Sequence, residues 1–226
     1  MVMKIGHRGA MGYAPENTIK SFKKALELNV DAVELDIYVC KSGELVVIHD
    51  DKVNRTTNGK GYVVEKTFEE LSTLDAGEGE KIPKLSEVLD LIDRKVKVNI
   101  ELKGVKTAKP VHELIEKYVK NKGWEYDDFL ISSFNHYELK EFSKLNSKIK
   151  IGALISGIPI GFSKFAKMLN VDSVNLCFEF INQEFVDDAH NRNLKVYVWT
   201  VNDSDDIERM KTFGVDGIFS NFPDRL

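Results

Sequence analysis

Within Ala32-Val33-Glu34-Leu35-Asp36-Ile37 two carboxylates stand at i and i+2 in an otherwise apolar run. On a β-strand that spacing aims Glu34 and Asp36 at one face and Val33, Leu35 and Ile37 at the other. Two acids held together lose hydration and repel, which is costly unless a cation binds both. Asn99-Ile100-Glu101-Leu102-Lys103 repeats the pattern, with Asn99, Glu101 and Lys103 on one face. On neighbouring parallel strands Glu101 comes close to Glu34 and Asp36. Three carboxylates are hard oxygen ligands, suited to Mg²⁺, Ca²⁺ or Mn²⁺. The plainer alternatives are two acids on a solvated strand edge and a simple Lys103–Glu101 ion pair. That ion pair could coexist with a metal, leaving Lys103 near an anionic oxygen.

His7-Arg8-Gly9 and His49-Asp50 each follow an apolar run. A histidine there can be a satisfied structural group. Two of them beside three carboxylates suit both halves of a proton-transfer cycle at neutral pH. Arg8 has the fork geometry for phosphate oxygens. Pro15-Glu16-Asn17-Thr18 reads as a helix start, in which Asn17 either caps the helix or donates to a phosphate.

These residues need a frame. Eight β-rich runs (2–7, 31–38, 97–102, 129–133, 149–155, 172–176, 195–200 and 216–219) alternate with helical stretches. The helices are expected near 18–28, 85–93, 108–122, 136–145, 160–169, 183–191 and 204–213. In the first, Phe22, Ala25 and Leu26 share a stripe that excludes most of the charges. The pattern predicts an α/β fold, a parallel (β/α)8 TIM barrel, with a doubly wound open sheet as second choice. Outward positions of a barrel strand pack under helices, so the acids should point inward. Residues 1–226 are expected to form one domain, with a very short or missing final helix and a small insertion after the second strand, at about 51–83. That insertion belongs on the C-terminal face, where barrel enzymes place their chemistry. It includes the apolar Tyr62, Val63, Val64 and Phe68, and is preceded by a ninth strand-like run, Leu45–His49. Lys41-Ser42-Gly43-Glu44 reads as a tight turn. A two-residue hairpin there would set Asp36 opposite His49, although a closed barrel should leave its second strand no free edge at that height.

Hydrophobic content of 42% and charged content of 30% are those of a globular protein, and the net charge of −4 argues against a nucleic-acid partner. No run reaches the roughly 18 apolar residues of a membrane span, so stable membrane association is not expected. Cys40 and Cys177 lack metal-type spacing and read as free thiols. With no signal-peptide pattern at the N-terminus, a cytoplasmic location is the expectation.

The ordered set His7-Arg8-Gly9, Pro15-Glu16-Asn17-Thr18, Glu34-Leu35-Asp36, His49-Asp50, Asn54-Arg55-Thr56-Thr57 and Asn99-Ile100-Glu101-Leu102-Lys103 resembles the glycerophosphodiester phosphodiesterase family. Ser132-Ser133-Phe134, Val198-Trp199-Thr200-Val201-Asn202 and Gly214-Val215-Asp216-Gly217-Ile218 extend the likeness over essentially the whole chain. The turn that commonly reads Thr-Lys-Asp-Gly in such proteins is Cys40-Lys41-Ser42-Gly43 here.

The resemblance implies a metal held by Glu34, Asp36 and Glu101, an acid/base pair of His7 and His49, and phosphate contacts from Arg8 and Lys103. It places Asn17 and Trp199 at the site, Trp199 facing the glycerol carbons. It further implies cleavage of a small glycerophosphodiester to glycerol 3-phosphate and an alcohol, through a cyclic 1,2-phosphate. Three rival readings are a lysophospholipase D-like activity, which calls for an apolar surface at the barrel mouth, a non-catalytic barrel that binds a phosphorylated ligand, and a phosphate-binding isomerase or aldolase. The last is disfavoured because the final two βα loops lack the expected glycines.

Overall fold

The apolar runs pair side by side as a closed parallel barrel in a computed structural model that describes residues 2–226. Among the described residues eight parallel strands close the ring. They are β1 (Met3–Gly6), β2 (Ala32–Val39), β4 (Lys97–Leu102), β5 (Phe129–Ser133), β6 (Lys150–Ile155), β7 (Ser173–Cys177), β8 (Lys195–Trp199) and β9 (Gly217–Ser220). β1 joins the two ends, pairing with β9 on one side and with β2 on the other. The crossovers are α1 (Ile19–Glu27), α3 (Leu85–Ile92), α4 (Ala108–Lys122), α5 (His136–Leu145), α6 (Ala166–Leu169), α7 (Gln183–Asn191) and α8 (Ser204–Phe213). After β9 comes only a 3₁₀ turn, Pro223–Arg225.

Strand periodicity creates the two layers of the core. Val33, Leu35 and Ile37 of β2, with Val98, Ile100 and Leu102 of β4, point outward and are buried under the helices. α1 answers with Phe22 and Ala25, and α3 with Val88, Leu89 and Ile92. Local chemistry sets the helix starts: side-chain oxygens of Thr18, Asn182 and Asp203 each accept from a backbone N–H in the first turn of α1, α7 and α8.

β3 (Leu45–Val47) corrects two expectations. It is antiparallel to the upper part of β2, pairing Ile37 with Val47 and Val39 with Leu45. An edge is available there because β1 is short and meets β2 only at Ala32 and Val33. The register is one residue away from the two-residue hairpin, so Asp36 lies opposite Ile48, whose N–H donates to the Asp36 carbonyl at 3.0 Å. The turn is the reason. Gly43 takes φ +97°, which admits a third loop residue, and Cys40 pairs with Glu44. His49 therefore reaches the site from the end of the β3 arm, one residue beyond the predicted pairing.

The following insertion builds a satellite core from Val46, Ile48, Val53, Val63, Leu71 and Ile82, with Phe68 packed against it. It also contains a helix absent from the expectation, α2 (Phe68–Thr73), which a Thr67–Glu70 capping box begins. The helix predicted over 160–169 is broken into a 3₁₀ turn, Phe162–Phe165, and the single turn of α6. Gly157 and Gly161, both at positive φ, make its approach non-helical.

Candidate active site

The inward face of β2 carries Glu34 and Asp36, and register does the rest. Asp36 pairs with Glu101, and Glu34 with Asn99, on adjacent β4. One carboxylate oxygen from each of Glu34, Asp36 and Glu101 lies within 4.8 Å of the others. The residues are only 3%, 1% and 8% exposed, which rules out the solvated-edge alternative.

Each acid is gripped from one side. The Arg8 backbone N–H donates to Glu34 Oε2 at 2.8 Å, and Asn17 Nδ2 donates to Asp36 Oδ2 at the same distance. Lys103 Nζ stands 3.1 Å from Glu101 Oε1. Glu34 Oε1 and Asp36 Oδ1 are buried with no hydrogen-bond partner. Burial and the neighbouring acids Asp36 and Glu101 hold the Glu34 carboxyl well above the usual carboxylate range. Burial and Asp36 likewise push Glu101 up to about 7, against the pull of Lys103. Orphaned oxygens, shared negative charge and an all-oxygen donor set fit a hard divalent cation.

The two histidines approach this centre from different sides. His7 follows β1, its Nε2 4.0 Å from Glu34 Oε2, and its Nδ1–H donates to Asn221 Oδ1 at 2.7 Å. Burial, then the adjacent Arg8 charge, lower its pKa to about 4. His49 donates from Nδ1 to Asp50 Oδ1 at 2.6 Å, and its Nε2 accepts from Lys103 Nζ at 3.1 Å. Both rings thus keep Nδ1 occupied and turn Nε2 inward.

Gly9 makes the approach of the Arg8 loop possible. It has φ +85°, and a Cβ there would lie 2.6 Å from the Ser21 carbonyl carbon. Arg8 Nε sits 3.4 Å from Asp36 Oδ2, and its Nη1 donates to Glu16 Oε1 at 2.7 Å.

His7, Arg8, Glu34, His49, Glu101, Lys103 and Trp199 all line one cleft on the C-terminal face of the barrel. Trp199 donates from Nε1 to the Asn175 carbonyl and meets Phe134 edge-on at 5.3 Å, giving the cleft an apolar wall. Asp36 lies beneath the lining residues.

Of the two roles read for Asn17, the capping one falls to its neighbour. Thr18 is the N-cap of α1, while the Asn17 amide, 3% exposed, is spent on Asp36. Sequence reasoning assigned no role to Asn221, Glu16, Asp50 or Arg55. Glu16, Asp50 and Arg55 lie within quoted motifs, which is the only signal they offer, and Asn221 lies beyond the last of them.

A sequence profile described as the Glycerophosphoryl diester phosphodiesterase family matches residues 7–225. A glycerophosphodiester phosphodiesterase of Caldanaerobacter subterraneus is 41% identical, the alignment covering 98% of this chain and 95% of that protein. One from Bacillus altitudinis is 36% identical over 100% of this chain and 96% of its own length. Among solved structures, an Oleispira antarctica phosphodiesterase in complex with the product sn-glycerol-3-phosphate superposes with TM-score 0.91 at 30% identity. It covers 99% of this chain and 94% of that one. A parallel barrel whose open face gathers three acids, two histidines and two cations is the architecture of a phosphodiester-cleaving enzyme. The chain belongs to the glycerophosphoryl diester phosphodiesterase family.

Proposed function

We propose that the enzyme hydrolyses small glycerophosphodiesters, such as glycerophosphocholine or glycerophosphoethanolamine, to glycerol 3-phosphate and the free alcohol. The observation that carries this reading is the buried Glu34–Asp36–Glu101 cluster, with two unpartnered oxygens, lying between two inward-facing histidine Nε2 atoms. The product named in the Oleispira antarctica complex is the one this reaction would yield.

Glu34, Asp36 and Glu101 would hold a divalent cation, Mg²⁺ or Ca²⁺, with Mn²⁺ of the same chemical class. Such a cation, when bound, neutralises phosphate charge and orients the reacting oxygens. Arg8 and Lys103 add positive charge on either side of the same space. Trp199 gives the glycerol carbons an apolar face.

The partners of the two histidines suggest their order of action. His7 rests on a neutral amide, which does nothing to favour imidazolium, so its Nε2 accepts the proton of the glycerol 2-hydroxyl. That oxygen attacks phosphorus, and the P–O bond to the leaving alcohol breaks. His49, held at Nδ1 by the Asp50 carboxylate and facing Lys103 Nζ at Nε2, passes a proton to the leaving alcohol. The cyclic 1,2-phosphate is then opened by water with the two roles reversed.

A second reading has one observation in its favour. Val105, Phe134, Tyr137, Ile158, Ile160 and Phe180 are exposed on or beside the loops that follow β4 to β7, where a lysophospholipid chain could lie. On the insertion Val63 and Phe68 are used in its own core, while Tyr62 and Val64 remain exposed.

The test is release of glycerol 3-phosphate from glycerophosphocholine after chelation and after adding back each cation, with lysophosphatidylcholine in parallel. Metal-restored release from the first substrate supports the principal reading. Release only from the second would replace it with the lipid reading, and silence on both would overturn the assigned chemistry.

A further inference from the structure

Arg55 lies in the insertion, five residues beyond Asp50, and its guanidinium is engaged along two edges. Nε donates to Asp50 Oδ2 at 2.7 Å and Nη2 to Asp50 Oδ1 at 3.0 Å. Nη1 donates to Glu16 Oε2 at 2.7 Å and Nη2 also to Glu16 Oε1 at 2.8 Å. Asp50 is the group that orients His49, and Glu16 is the group that holds Arg8. All four oxygens of the two carboxylates have a donor. The chain of contacts therefore runs His49–Asp50–Arg55–Glu16–Arg8 and ties the β3 arm to the loop after β1.

We infer that Arg55 is a positioning residue that sets His49 and Arg8 at a common spacing, so that the acid/base ring and the phosphate-contacting guanidinium act on the same substrate atom group. This rests on the roles given above to His49 and Arg8. The physical case is geometric. A planar fork can bind two carboxylates at once in fixed orientation, whereas a lysine ammonium is a single point charge on a flexible stem. Without the bridge, Asp50 remains paired with His49 alone, and Glu16 with Arg8 alone. Each pair can then swing with its own loop. Side chains that stand behind reacting groups in this way typically change activity by about 10–100-fold when removed.

The bridge also divides the expected defect. Its Asp50 edge acts through His49 and should appear in kcat. Its Glu16 edge acts through Arg8 and should appear in KM.

The experiment uses Arg55→Met and Arg55→Lys, the single variants Asp50→Asn and Glu16→Gln, and each combined with Arg55→Met. kcat and KM are measured on glycerophosphocholine, and ¹⁵N spectra of the histidine rings are recorded on the chelated proteins. Arg55→Met is expected to lower kcat and raise KM, by about 10–100-fold in their ratio. Adding it to Asp50→Asn should cost no further kcat, and adding it to Glu16→Gln should cost no further KM, because each pair acts as one unit. Arg55→Lys should recover at most one of the two parameters. In the spectra, the protonated-Nδ1 signature of His49 should be sharp in the wild type and averaged in Arg55→Met.

Effects that multiply in the double variants would overturn the bridge, as would a kcat/KM for Arg55→Met close to that of the wild type. If Arg55→Met fails to fold, Arg55→Lys and the ring spectra decide: an unchanged His49 signature in Arg55→Lys with both kinetic parameters normal refutes the inference. A wild type that releases no product would count against the proposed reaction, while the ring spectra would still support or overturn the bridge.

Discussion

Glu101→Gln should make the metal-free protein more stable as pH rises while removing much of its response to cations. The magnitude follows from the site. Glu101 is 8% exposed, and burial followed by Asp36 moves its carboxyl from 4.5 to about 7. A carboxyl whose folded-state pKa lies above its unfolded value favours the fold when protonated. That contribution is complete below pH 4.5 and is lost as pH climbs through about 7. Between pH 5 and pH 8 the loss comes to about 2–3 kcal/mol, at about 1.4 kcal/mol for each tenfold change in the binding of the proton. For a chain of this length 1 kcal/mol corresponds to about 2–4 °C in Tm, so the wild type should lose several degrees relative to Glu101→Gln over that interval. The assay is thermal unfolding of both proteins in chelator across the pH range, then with a divalent cation added. At one hundred times its dissociation constant a cation should stabilise the wild type by about 2.7 kcal/mol, and the variant by distinctly less. Parallel Tm-against-pH curves, or an equal gain from Mg²⁺, Ca²⁺ and Mn²⁺ in both proteins, would refute the assignment of Glu101 to a strained, cation-binding cluster.

Three further expectations test the same geometry. His7→Ala and His49→Ala should each lower turnover by about 10²–10⁴-fold while leaving Tm and cation-induced stabilisation intact; near-normal turnover in either would remove that ring from the chemistry. Asn17→Ala removes the amide that fixes Asp36 Oδ2, so half-maximal stabilisation should need about 10–100-fold more cation, and an unchanged titration would show that Asp36 needs no such support. Gly9→Ala places a Cβ 2.6 Å from the Ser21 carbonyl carbon on a backbone at φ +85°, and urea unfolding should register a loss of about 1–3 kcal/mol or more; an unaltered midpoint would mean that the loop relaxes freely.

Much of the site was legible because strand chemistry is local. The alternation in 32–37 and 97–103 separates acids from aliphatics by a period of two, and that alone aimed Glu34, Asp36 and Glu101 at one another once parallel neighbours were assumed. The barrel followed from the repeated order of strand and helix, and every barrel strand lies close to its expected place. His7 and His49 were legible as polar residues at the ends of apolar runs.

What remained hidden depended on register and on contacts between distant segments. Only the folded molecule shows that β1 is short enough to leave β2 an upper edge, and that Gly43 shifts the β3 arm so that Asp36 faces Ile48. Asn17 could not be read as the anchor of Asp36, 19 residues away, because a helix-start motif looks the same whether its asparagine caps or reaches across. Asn221 meets His7 across 214 residues, and Arg55 meets Glu16 across 39. Which side chains share a face depends on backbone periodicity and is therefore written locally in the chain. Which atoms hold them in place depends on how far each strand extends and where each turn releases the chain, and those are properties of the folded molecule alone.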